Sequence, residues 1–248
     1  MNINPQDYIF LNISRHGNIQ VKNAVYVDGR VEQTFYENDM LLPKIPLTGK
    51  MIAKVRAMFL IEKDLRNILS WIGLSKRIFS EPTLLDSFGE GDEYRNIFLK
   101  SLLISIVTSY MKCFNTTKDR SFSLDDAQVP KEFKQIHLKV KEIRNNFAAH
   151  KGAFIHDNCS FSLVVSGLKE NPTLEIMPHL IHPNGIRSSK ELDDLFSLCK
   201  YLHTYVYDKS EDALNQIMEK GIHPHSLDYW LERDGINTNV DFFNKHKK

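Results

Sequence analysis

Apolar positions along the chain keep two different periods, and the change from one to the other divides it. From Tyr8 to Tyr36 the pattern is strand-like, and Ala24-Val25-Tyr26-Val27, then Asp28-Gly29, then Val31-Glu32-Gln33-Thr34-Phe35 predicts a hairpin around a tight turn. Pro43 and Pro46 close this segment. Beyond them Met51, Val55, Met58, Leu65, Leu69 and Ile72 recur at helical spacing, with Thr48 expected to cap the helix they define. Tyr94 to Phe114 is apolar on nearly every side, which predicts a central buried helix. Pro130 stands where a first helical residue would be, and Phe133, Ile136, Val140, Ile143 and Phe147 then form the stripe of a third helix that Gly152 is placed to end.

The period of two returns in Ser160-Phe161-Ser162-Leu163-Val164-Val165 and Thr173-Leu174-Glu175-Ile176, a second hairpin over about residues 160–181. Ser188 and Glu191 spell a capping box before Leu192, Leu195, Phe196, Cys199, Leu202 and Val206, and a shorter helix is expected from Ser210 to Lys220. Glu81 to Glu93 and Asn115 to Val129 are polar and loop-like. The expected architecture is mainly α: a small β module over residues 1–46, and a helical domain over 47–248 with a β-hairpin inserted after the third helix.

Composition narrows the chemistry. Hydrophobic residues at 42% and charged residues at 25% describe a chain able to build an ordinary globular core. A net charge of +1 means that attraction to a polyanion has to be local. The apolar run Leu102 to Met111 is flanked by Lys100 and Lys112 and falls short of the roughly 20 residues of a membrane span, and the N-terminus has no signal-peptide pattern, so no membrane partner and a cytoplasmic location are expected. Cys113, Cys159 and Cys199 are too scattered for a disulfide framework. Walker, dinucleotide-binding and serine-elbow motifs are absent, and His179, His182, His223 and His225 lack a standard ligand spacing; neither cofactor nor metal is expected.

One segment concentrates reactive groups. Arg144-Asn145-Asn146-Phe147-Ala148-Ala149-His150 brings a permanent cation, two amides and an imidazole into one helical stretch. Six residues of regular helix separate Arg144 from His150 by about 9 Å along the axis and about 120° around it, so a single rigid helix does not easily bring both to one phosphate. A second copy of the helix closes that gap, and Ala148 and Ala149 are small enough to let one approach. From 131 to 151 six basic residues face only Glu132 and Glu142, a local patch suited to phosphate; Lys141, Lys151, Asn146 and His137 are candidate substrate contacts.

Arginine, a polar residue, a short spacer and histidine, followed by Lys151-Gly152, resembles the signature of the HEPN superfamily, and the order of elements over residues 48–220 is similar to many of its members. The resemblance implies an antiparallel helical bundle and a metal-independent endoribonuclease of toxin or anti-phage defence type. Such enzymes act as homodimers with a composite cleft, RNA as substrate, and in some cases an antitoxin or regulatory protein as a further partner. It implies that Arg144 grips the phosphate, His150 moves protons, and Asn145, or Asn146 in its place, orients the scissile group. Gly152 occupies the position at which HEPN toxins silenced by an antitoxin nucleotidyltransferase carry tyrosine, so that route of inhibition is not implied. The alternative is a non-catalytic HEPN-like module that binds RNA, a nucleotide or a protein.

Overall fold

The computed structural model describes residues 8–81, 83–84, 92–115, 121–148, 158–166, 173–181 and 189–240. The chain is mainly α, with a small antiparallel sheet near its N-terminus. It divides into two compact units, one made of Met1–Ala53 together with Ala213–Lys248, the other of Lys54–Asp212.

In the first unit β1 (Tyr8–His16), β2 (Ile19–Tyr26), β3 (Val31–Glu37) and β4 (Met40–Leu41) form an antiparallel meander in that order. Its turns sit where the backbone can go left-handed. Gly29 has φ +83° between β2 and β3, and Asn38 and Asp39 have φ +48° and +63° between β3 and β4. β5 (Leu47–Thr48) pairs in parallel with β8 (Thr238–Asn239), so the C-terminal segment joins the N-terminal one. Thr48 is therefore a strand residue and not a helix cap. Its carbonyl accepts from Val240 N, and the turn into the next helix is made by Gly49 at φ +119°, whose carbonyl accepts from Ala53 N. Farther along, α5 (Leu227–Leu231) is capped by Ser226, and Tyr229 lies between the His225 ring and the Arg233 guanidinium.

The second unit is built on α1 (Lys50–Ser80), α2 (Asp92–Phe114), α3 (Lys134–Ala148) and α4 (Ser189–Ile217). Ile61, Leu65, Ile68 and Ile72 of α1 form one buried edge and meet Ile106, Val107 and Tyr110 of α2, Ile136, Val140 and Ile143 of α3, and Leu195, Leu198, Leu202 and Val206 of α4. Polar ties fix the directions. Arg95 reaches the Phe79 carbonyl while Lys112 pairs with Asp64, and Lys76 pairs with Asp193 while His203 bonds Glu62, so α1 runs antiparallel to both α2 and α4.

Three expectations change. α2 is buried on one side only: Tyr94, Ile97 and Ile104 are exposed, and although the Tyr94–Phe114 stretch is long and apolar enough to cross a membrane, just 39% of its window is buried. The separate helix from Ser210 does not exist. α4 runs through that position to Ile217 because the buried Ser210 hydroxyl donates to the Tyr207 carbonyl of its own helix and so caps nothing. Nor does Pro130 begin α3. It caps a 3-10 turn over Lys131–Phe133, through which the chain enters the helix at Lys134.

After α3 the chain forms β6 (Asn158–Ser166) and β7 (Thr173–Ile181), an antiparallel ribbon where the sequence predicts a hairpin. The proposed capping box cannot be followed, since Ser188 lies outside the described residues, as does most of the acidic loop 81–93.

Candidate functional site at the end of α3

α3 owes its placement to the apolar stripe read from the sequence, with Ile136, Val140 and Ile143 buried and Phe133 packed against the same core. That fixes the helix rotation and hence which polar residues reach the surface. Arg144 ends up partly exposed, and Asn145 exposed beside it. The Arg144 guanidinium Nη1 donates to Asn145 Oδ1 at 3.2 Å. Among the described residues no carboxylate forms an ion pair with Arg144, and that separates it from its neighbours. Lys139 pairs with Glu191 at the start of α4, and Lys141 donates to Asp126 Oδ2 at 2.9 Å. The basic patch of the sequence is thus partly neutralised by carboxylates brought in from outside it.

His150 and Lys151 lie outside the described residues, and so does the Asn146 side chain, although Asn146 is within α3. Arg144 and Asn145 are brought together. The joining of His150 to them is not described.

His137 occupies a different position from the one its sequence spacing suggests. Only 1% of its surface is exposed, and both ring nitrogens are engaged inside the chain. Tyr110 Oη lies 2.8 Å from Nδ1, and Asp126 Oδ1 lies 3.1 Å from Nε2. A self-consistent arrangement follows. A neutral ring donates from Nε2 to the carboxylate and accepts at Nδ1 from the phenol, which suits an anionic acceptor on one side and a phenol that stays protonated on the other. Burial pushes the His137 pKa below its usual range, with Asp126 opposing, and burial pushes the Tyr110 phenol far up. The Lys141 hydrogen bond holds the Asp126 carboxyl below the usual carboxylate range, assisted by His137. With no nitrogen left over, His137 is a fastening of α3 to α2 and to the 3-10 turn Asp126–Gln128, not a substrate contact.

Tyr110 and Asp126 are the members of this network that sequence reading did not single out. Asp125-Asp126-Ala127-Gln128 did carry a local signal. Asp125 caps the 3-10 turn by accepting from Ala127 N, with Gln128 closing the capping box, and this presents Asp126 to α3. Lys134 adds a further bond to the Asp126 carbonyl. Nothing local pointed to Tyr110, 27 residues before His137.

A cavity of about 580 Å³ opens between the end of α1 and the start of α4, lined by Lys76, Arg77, Phe79, Ser80, Ser189 and Leu192. Arg144 is not among these lining residues. No three His, Cys, Asp or Glu side chains converge as a metal site among the described residues. His225 stacks on Tyr229 with ring centroids 4.1 Å apart, and His182 lies outside the described residues. No protein-family model, curated protein or solved structure matches the chain.

Proposed function

We propose that the chain is a HEPN-type, metal-independent endoribonuclease acting as a homodimer on RNA, in toxin or anti-phage defence. The observation that carries this reading is the Arg144–Asn145 pair: an arginine at the exposed end of a well-anchored helix, bonded to an amide and paired with no carboxylate among the described residues. A structural arginine commonly spends its charge on a neighbour, as Lys139 and Lys141 do here. One kept beside a neutral amide keeps its planar fork available for a phosphate. The order of two long helices, motif helix, hairpin and fourth helix supports the same reading.

In the proposed reaction His150 takes the proton of the ribose 2′-hydroxyl as its oxygen attacks the adjacent phosphorus. Arg144 stabilises the charge on the phosphorane, and Asn145 orients the scissile group or holds the imidazole. The bond from phosphorus to the 5′-oxygen then breaks, the leaving oxygen takes a proton from the second copy's His150, and a 2′,3′-cyclic phosphate remains. Two copies answer the geometric problem of about 9 Å and 120° between Arg144 and His150 on one helix.

The test is incubation of wild type, Arg144→Ala and His150→Ala with a mixed RNA pool in EDTA. Cleavage by wild type alone, leaving cyclic-phosphate ends, is expected. RNA binding without cleavage, weakened by Arg144→Ala, would instead identify a non-catalytic binding module, and equal cleavage by all three proteins would remove the site.

A further inference from the structure

β6 and β7 form a ribbon whose two faces differ. The register sets positions 159, 161, 163 and 165 of β6 opposite 180, 178, 176 and 174 of β7, and every one of these residues is apolar. The opposite face is mainly polar, with Asn158, Ser160, Ser162 and Ser166 of β6 and Thr173, Glu175 and His179 of β7, interrupted by Val164, Met177 and Ile181. On the apolar face Leu163 is 64%, Leu174 67% and Ile176 70% exposed. Leu163 and Ile176 are direct cross-strand partners and Leu174 is the adjacent same-face position of β7, so these three exposed side chains are contiguous and not a scatter of single residues. An isolated two-stranded hairpin is at best marginally stable in water and needs further strands or a packed face.

We propose that this face is a dimerisation surface on which the ribbon of a second copy of the chain stacks face to face. Charge excludes the obvious polyanionic occupants, because neither strand contains a single lysine or arginine and β7 contributes Glu175. Nucleic acid and anionic membrane both require the basic residues that this element lacks.

Area and symmetry favour a second copy. Two strands of nine residues each span roughly 30 Å by 10 Å, and the eight apolar positions on one face correspond to side-chain surface on the order of 500–600 Å². Two such faces together bury roughly 1,000–1,200 Å², which reaches the lower bound of a specific interface. An identical ribbon has the matching length and the same lack of charge, and an isologous pairing covers both faces at once. Stacking rather than strand addition at β7 is favoured by Pro178, which has no N–H to offer an added strand.

The RNA reading brings the ends of two α3 helices into one cleft and assigns the ribbon no part in holding the copies together, and this assignment does not rest on that cleavage. Sedimentation velocity of the full-length chain in RNA-free and lipid-free buffer tests it, with Leu163→Lys/Ile176→Lys beside a Ser162→Lys control on the polar face. Both apolar positions are exposed in the single chain, so lysine there is compatible with its fold, and unchanged far-UV circular dichroism verifies this. Expected are a dimer for wild type and for the control, and at least a tenfold weaker dimer for the double variant. A wild-type monomer at 100 μM, as an order-of-magnitude ceiling for weak association, overturns the assignment, and so does a dimer untouched by the double variant. Association only on adding RNA or vesicles likewise overturns it. A ribbon-dependent dimer that never cuts RNA would sink the nuclease reading and leave this one standing.

Discussion

Replacing His137 by leucine exposes how α3 is held. The ring is buried against Tyr110 and Phe114, with centroids 5.8 Å and 4.9 Å away, so leucine occupies comparable apolar space. What leucine cannot do is accept the Tyr110 proton. A hydroxyl on a fully buried residue left without its acceptor costs about 1–3 kcal/mol, and loss of the bond to half-exposed Asp126 adds about 0.5–1.5 kcal/mol. His137→Leu should therefore destabilise by about 2–4 kcal/mol, within the roughly 5–15 kcal/mol of a folded domain. Tyr110→Phe alone strands the Nδ1 lone pair and should cost about 1–2 kcal/mol. In Tyr110→Phe/His137→Leu neither orphan remains, and the double variant should be more stable than His137→Leu by about 1–2 kcal/mol. Urea unfolding followed by Trp71 fluorescence in a Trp230→Phe background measures this, since Trp71 packs on the core that contains Tyr110 and His137 adjoins. Additive losses within about 0.5 kcal/mol would refute the hydrogen bond as the source of the coupling.

Three further outcomes are expected. Because burial depresses the His137 pKa from its ordinary 6.5, the unfolded chain binds a proton that the native chain refuses, so stability should fall as pH drops below about 6.5 toward the lowered value, and the curve for wild type minus His137→Leu should isolate that slope. Asp126→Asn, whose amide oxygen can still accept from His137 Nε2, should release Lys141 and cost less than about 1 kcal/mol, because Lys141 and Asp126 are 40% and 50% exposed; on the RNA reading it should tighten oligonucleotide binding and steepen its salt dependence by about one ion, and unchanged titrations at two salt concentrations would count against a phosphate path along α3. Gly49→Ala places a side chain at φ +119° and should destabilise by about 1–3 kcal/mol, read as a lowered melting temperature by circular dichroism.

The motif helix was legible because its stripe is both regular and local: Ile136, Val140 and Ile143 announce a buried face by spacing alone, and that face carries Arg144 to the surface. His137 was misleading for the same reason. A position seven residues before Arg144 shares its side of the helix, but whether that side meets solvent or Tyr110 depends on α2 and on the 126–128 turn. Ser210 looked like a boundary because serine favours caps, yet in a helix already held by Leu202 and Val206 its hydroxyl simply bonds back to Tyr207.

Periodicity, turn residues and the spacing of one cation from one imidazole are properties of neighbouring positions, so the sequence by itself determined the mainly α architecture and the two hairpins, and it offered Arg144 and Asn145 as candidates. Pairings across long stretches of chain are not encoded in any window. Only the tertiary structure decided that Lys139 and Lys141 are matched by Glu191 and Asp126 while Arg144 meets no carboxylate among the described residues, that His137 is sealed against Tyr110, and that β5 finds its partner in β8, with Leu47 set opposite Thr238, 191 residues away. Each of these joins groups, through charge, burial or backbone hydrogen bonds, that meet only after distant stretches of the chain have folded together.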